Sequence, residues 1–141
     1  MVRKIIARLL YLAVFVSNMI CIVAFVFNPA SYVYSYQVNG AAGAIAAIEG
    51  LGVAFAMWNV TYPFFILNKN DNKALGLAII VQQAVGLVGE LYIQSELGEG
   101  LEVLRSSITR FVWFDAGGLV LLIAGYIILF AARPAYAQTE K

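Results

Sequence analysis

Four stretches of this chain are long, apolar and free of charge, and they leave few folds open. Residues 9–27 are 19 uncharged residues, 50–67 are 18, 74–89 are 16 and 116–132 are 17. A helix needs about 20 mostly apolar residues to cross roughly 30 Å of hydrocarbon. The second stretch reaches that length if it starts near Ala41, which brings Glu49 inside it. The third and fourth reach it by including Glu90 and Asp115. Only 12% of the chain is charged, about half the share of a soluble domain. The expected fold is an all-α membrane protein with four transmembrane helices in an antiparallel bundle. It is a single domain, 1–141, with spans at 8–27, 41–67, 74–97 and 108–132.

Several function classes drop out on composition. The net charge of +1 gives no basic surface for nucleic acid. Histidine is absent, which removes bis-histidine haem, imidazole metal sites and histidine acid–base catalysis. The single cysteine, Cys21, can form neither an internal disulfide nor a two-thiol redox pair, and reads as a small core residue. No metal site and no cofactor are expected. Arg3, Lys4 and Arg8 before an apolar stretch suit a signal peptide, but the stretch exceeds a typical h-region and no small-x-small site follows it. It reads as a retained first span. The "AYAQ" tetrapeptide at 135–138 is taken as a chance likeness to a cleavage motif.

Orientation follows from the basic residues. Arg3, Lys4, Arg8, Lys69, Lys73, Arg133 and Lys141, seven of the nine in the chain, fall on one side if both termini are cytoplasmic, as the positive-inside rule prefers. Tyr32, Tyr34, Tyr36, Tyr92 and Trp113 would mark the outer interface, with Tyr11 and Tyr136 near the inner one. The polar "NKNDNK" turn makes spans two and three a hairpin. The first loop, "NPASYVYSYQVNG", places tyrosines at every second position. That suits an extended segment on the membrane surface, acting either as a lid or as an anchor. The third loop sets Leu101, Leu104, Ile108 and Phe111 on one helical face. It is either an amphipathic interfacial helix or the first turns of span four.

The acids fall on stripes. At about 1.5 Å per residue, Glu49 lies ~12 Å inside the start of span two, Glu90 ~10 Å inside the end of span three and Asp115 ~10 Å inside span four. Glu49, Gly52, Ala56, Asn59 and Pro63 share one face of span two. Gln82, Gly86, Gly89 and Glu90, with Gln83 adjacent, share one of span three. Asp115, Gly118 and Gly125 share one of span four, and Ser17, Asn18 and Cys21 one of span one. Lipid offers these groups no partners, so the stripes are expected to face one another. Arg105 and Arg110 are the basic residues placed to neutralise one acid. The ligand- or proton-binding candidates are Glu49, Glu90, Asp115, Gln82, Gln83, Asn59, Arg105 and Arg110. Three carboxylates so placed would titrate as a coupled cluster.

Three roles for the acids compete: hydrogen-bonded packing, a cation, proton or polar-ligand site open to the outside, and pairing with a basic residue of a partner subunit. The leading function is a small binding or accessory protein, a complex subunit with an outward-facing polar interior. The alternative is a proton- or cation-coupled transporter acting as a homo-oligomer. That reading sets no acid in the first span against the glutamate that small four-helix exporters keep there, and no inverted repeat is visible. A membrane enzyme using carboxylate chemistry on a lipid-soluble substrate ranks third. Its partners would be the lipid bilayer and membrane-protein subunits or further copies of itself.

"FNPASYVYSY" closing the first span, "GAAGAIAAIEGLGVAFAMW" in the second and a glycine-rich fourth resemble a bacterial family of small four-helix integral membrane proteins of unassigned function. The resemblance covers nearly the whole chain. It implies the four-span fold and a bacterial or archaeal cell membrane. It also implies basic residues inside spans two and three, where this chain carries Glu49 and Glu90.

Overall fold

The computed structural model describes residues 2–130. Arg133, Tyr136, the "AYAQ" tetrapeptide, Lys141 and the end of the expected fourth span lie outside the described residues. Four helices are long and apolar enough to cross a membrane: Val2–Phe27, Ala42–Leu67, Lys73–Glu96 and Glu102–Phe130. By length and composition this is an integral membrane protein. The elements are α1 (Val2–Phe27), a 3-10 turn (Pro29–Tyr32), α2 (Ala42–Asn59), α3 (Thr61–Leu67), α4 (Lys73–Glu96) and α5 (Glu102–Phe130).

Local chemistry sets these boundaries. Pro29 drives the preceding residue out of the helical region, and Asn28 has φ −140° and ψ 49°. Pro63 has no N–H to give the Asn59 carbonyl one turn back, and the second span breaks there into α2 and α3. The Thr61 hydroxyl lies between two acceptors, the Trp58 carbonyl at 3.0 Å and Gln82 Oε1 at 2.9 Å, and shares its one proton between them. Asn72 caps α4, its Oδ1 accepting from the Leu75 amide at 3.1 Å. The third loop forms no separate interfacial helix. Its residues from Glu102 onward are the first turns of the single 29-residue α5.

The first loop is not extended. It coils into successive turns, with the Tyr36 amide bonded to the Tyr32 carbonyl at 2.9 Å and the Val38 amide to that of Val33 at 3.1 Å. Coiling brings Tyr32 and Tyr36, four residues apart, against one ring: Phe25 lies 4.5 Å from Tyr32 and 6.3 Å from Tyr36, centroid to centroid. Phe111 of α5 completes the group at 5.8 Å from Phe25.

Helix α1 packs along α2 and α5, and α4 packs along α5. The short α3 touches both α1 and α4, closing the bundle at the end that carries the 68–72 turn. There Tyr11, Val14, Tyr62, Phe65, Ile79 and Leu122 form the apolar core, with the Tyr11 and Phe65 rings 4.3 Å apart. The turn is tied to α1: Lys4 Nζ lies 2.6 Å from Asp71 Oδ2, and the Arg8 guanidinium donates to the Asn68 carbonyl.

Candidate functional site

Between the apolar core and the aromatic first-loop end lies a layer of polar side chains, one or more from every helix. Asn18 of α1 donates through Nδ2 to Asn59 Oδ1 of α2 at 2.9 Å, and Asn59 Nδ2 donates to the Phe55 carbonyl at 2.8 Å. Gln83 of α4 donates through Nε2 to Asp115 Oδ1 of α5 at 2.9 Å. The Tyr62 hydroxyl of α3 donates to Gln83 Oε1 at 3.3 Å. Asn18, Asn59, Gln83 and Asp115 are all buried. Each of these four side chains therefore finds a partner on another helix, as an apolar surround demands, and one buried oxygen, Asn18 Oδ1, is left without a partner among the described residues.

Two glycines make room for the Gln83–Asp115 pair. A Cβ on Gly86 of α4 would lie 3.0 Å from Asp115 Oδ2, and one on Gly118 of α5 would lie 3.0 Å from Gln83 Nε2. Each helix thus omits a side chain where the other inserts a polar one. Gly52 plays the same part between α1 and α2, where a Cβ would stand 2.8 Å from Phe25 Cβ. At the heart of the layer, among Asn18, Asn59, Gln83, Asp115 and Trp58, is a cavity of about 10 Å³. That is the size of one water. It admits a water or a small ion and leaves no room at Asp115 for an organic substrate.

Glu90 stands one turn beyond Gly86 on α4, toward the first loop. It is close enough to Asp115 for their charges to interact. Its Oε2 is buried without a hydrogen-bond partner among the described residues. Tyr36 of the first loop lies near it. Burial, and then the Glu90 charge, push the Tyr36 hydroxyl up to about 12. Gln37 clasps this loop to α5: its Nε2 donates to the Gly100 carbonyl at 3.1 Å and its Oε1 accepts from the Leu104 amide at 2.8 Å. These two bonds hold Gln37 at φ 49°, a conformation uncommon outside glycine.

The expected constellation is therefore partly assembled. Asp115, Gln83, Asn59 and Glu90 converge, and Gln82 joins through the Thr61 hydroxyl, 2.9 Å from its Oε1. Glu49 does not. It is exposed on the outside of α2, while Ile48, Gly52 and Asn59 are buried. The inward face runs through 48, 52 and 59, one residue, or about 100°, round from Glu49. Arg105 and Arg110 neutralise neither acid. Arg105 donates to the Gln94 and Leu97 carbonyls at the end of α4, at 3.2 and 2.7 Å, and Arg110 to Ser107 Oγ at 3.0 Å. Free carbonyls at a helix end are closer for Arg105 than a carboxylate two turns into the bundle. Sequence reasoning missed Tyr62, Tyr36 and Gln37 as members. Only the four-residue spacing of Tyr32 and Tyr36 hinted at a helical turn.

The fold and the site together define a four-span helical membrane protein with an amide–carboxyl layer at its centre. Set against known proteins, the chain matches no family, no curated protein and no solved structure.

Proposed function

We propose that this protein is an accessory subunit of a membrane complex, docking a neighbouring span on the outer face of α2. In this reading it is an antiparallel bundle in a bacterial or archaeal cell membrane, with both termini cytoplasmic and the first loop outward. The observation that carries it is Glu49, a carboxylate exposed on the outside of a spanning helix. An acid at the bilayer centre costs about 2.5–3.5 kcal/mol on insertion scales, and less toward the edge. A basic or amide side chain from a neighbouring helix offsets that cost. Beside Glu49 the surface is built of small residues: Gly43, Ala46, Ala47 and Gly50 are all exposed, and a Cβ on Gly43 or Gly50 would meet nothing within 4 Å. Small residues let a second backbone approach closely.

Native mass spectrometry on gently extracted protein tests this. The wild type is expected to carry other subunits and Glu49→Leu to run without them, while the purified Glu49→Leu chain melts within a few degrees of wild type. Identical assemblies from both, or a bare wild-type monomer, would sink the reading.

One observation favours proton or cation coupling as a second reading. The Asp115 carboxyl lines a cavity that admits only a water or a small ion, and Glu90, whose Oε2 is unpartnered, stands one turn beyond the cavity-lining Gly86 on α4. A specific ion that binds the folded state raises its melting temperature. A sodium- or potassium-dependent rise that Glu90→Gln and Asp115→Asn both remove would favour this reading, and a flat response would discard it.

A further inference from the structure

One face of α5 is not used by the polar layer. Ser107, Arg110, Phe114, Gly117 and Leu121 recur along it at spacings of three and four, and it borders two cavities that meet at Phe114. The first, about 300 Å³, lies under the first loop and is lined by Tyr32, Ser35, Ser107, Arg110 and Phe111. The second, about 280 Å³, is a groove between α1 and α5 lined by Ala13, Ser17, Trp113, Gly117 and Leu121. We propose that the two together bind one anionic phospholipid, its phosphodiester held by Arg110 and Ser107 and an acyl chain laid along the α1–α5 groove.

The first cavity has the chemistry for a phosphate. Arg110 donates to Ser107 Oγ at 3.0 Å, and no carboxylate among the described residues forms an ion pair with it. Its charge is therefore uncompensated, and a guanidinium presents a planar fork that suits phosphate oxygens. Ser107 is 2% exposed and built into the wall. It accepts from Arg110 and keeps its own proton to donate. Rim hydroxyls come from Tyr32 and Ser35.

The second cavity says which phosphate. A free anion would use the first chamber alone. The groove that continues past Phe114 is walled by apolar side chains and glycine, with Ser17 its one hydroxyl. It runs along α5 from Phe114, about 6 Å from Arg110, to Leu121, about 16 Å from it. Gly117 is its floor, since a Cβ there would meet nothing within 4 Å. A charged head and an apolar tail at that separation describe a membrane lipid. The site lies on α1, α5 and the first loop and takes no residue from α2, so it stands or falls independently of subunit docking.

Delipidated full-length protein in detergent would be titrated with phosphatidylglycerol carrying brominated acyl chains, reading tryptophan quenching with Trp113→Phe as the control. Saturable quenching that needs Trp113 is expected, with brominated phosphatidylcholine binding more weakly. Arg110→Gln should weaken phosphatidylglycerol by about tenfold or more, the loss of one hydrogen bond to a charged group. Arg110→Lys, which keeps the charge and loses the fork, should fall between. Gly117→Leu should abolish the quenching with little change in melting temperature, because its Cβ meets nothing within 4 Å and its side chain occupies the groove. Inorganic phosphate at millimolar concentration should not displace the lipid. Equal quenching by both lipids, unaltered by either Arg110 variant, would mean annular lipid only and overturn the proposal. Displacement by inorganic phosphate with no effect of Gly117→Leu would overturn it in favour of a free-anion site.

Discussion

Asp115 accepts from Gln83 through one carboxyl oxygen, and its other oxygen lies 3.0 Å from where a Cβ on Gly86 would stand. Asp115→Asn retains an oxygen for Gln83 and is expected to fold. Asp115→Leu strands the Gln83 amide in the core and should cost about 1–3 kcal/mol in denaturant unfolding. Gly118→Ala places a methyl 3.0 Å from Gln83 Nε2 and should cost on the order of 1–3 kcal/mol by overpacking. Tyr36 makes a prediction in pH. Its folded pKa, about 12, exceeds the unfolded value of about 10. Its contribution to stability is complete below pH ~10 and is lost as pH rises through 12. Tyr36→Phe should shrink that alkaline loss in melting curves taken from pH 9 to about 12. At this scale Asp115, Gln83 and Asn59 were legible, because polar residues spaced by three and four among aliphatics mark an inward face. Tyr36 was not, because what buries it, Phe25 among its neighbours, is brought there by the coiling of the first loop, which the alternating tyrosines did not signal.

Helix α5 begins after Leu101, a side chain with nothing to offer the first amides, and takes its cap from Gln37 instead. Losing a cap typically costs about 1 kcal/mol. Gln37→Ala is expected to cost that much and to speed amide exchange at 102–105 and in the first loop together. Exchange confined to the loop would show that the cap is incidental. The misplacement of Glu49 belongs to this scale. Small residues lie on both sides of α2, Gly52 inward and Gly43, Ala46, Ala47 and Gly50 outward, so composition alone could not say which side the bundle takes. What settles it is the volume of Phe25 and Val26 on α1, whose side chains would each come within 2.8 Å of a Cβ on Gly52. Only the outline of α2 and α3 was visible as one span; Pro63 was read as part of a stripe rather than as the break it makes.

Across the molecule the two ends are held differently. The 68–72 end has the apolar core and the Lys4–Asp71 ion pair, with Asp71 only 8% exposed at its side chain. The first-loop end is held by four aromatic rings and the Gln37 clasp, while Tyr34 remains 76% exposed. Local opening follows the thinnest packing. Hydrogen exchange on the intact chain should therefore show the first loop and the start of α5 exchanging before α3 and the adjoining half of α4. The reverse order would show that the polar layer, rather than the apolar core, limits opening. The four spans were legible at this scale because lipid imposes a length and a hydropathy that few other environments demand. Which spans lie side by side was not, since no local signal pairs α1 with α2 and α5, or α4 with α5.

Gln37 and Leu104 are 67 positions apart, and that separation has a consequence for biosynthesis. A nascent chain exposes its first loop well before the segment it clasps has left the ribosome. The first span meets both of its long partners only when the last is inserted. Until then Gln83 lacks Asp115, and Gln37 lacks the two bonds that hold it at its positive φ. A chain stopped after Glu96 is expected to be cleared by membrane proteases faster than the full one. Pulse-chase lifetimes of the two would measure how long the unfinished protein waits for its own last helix.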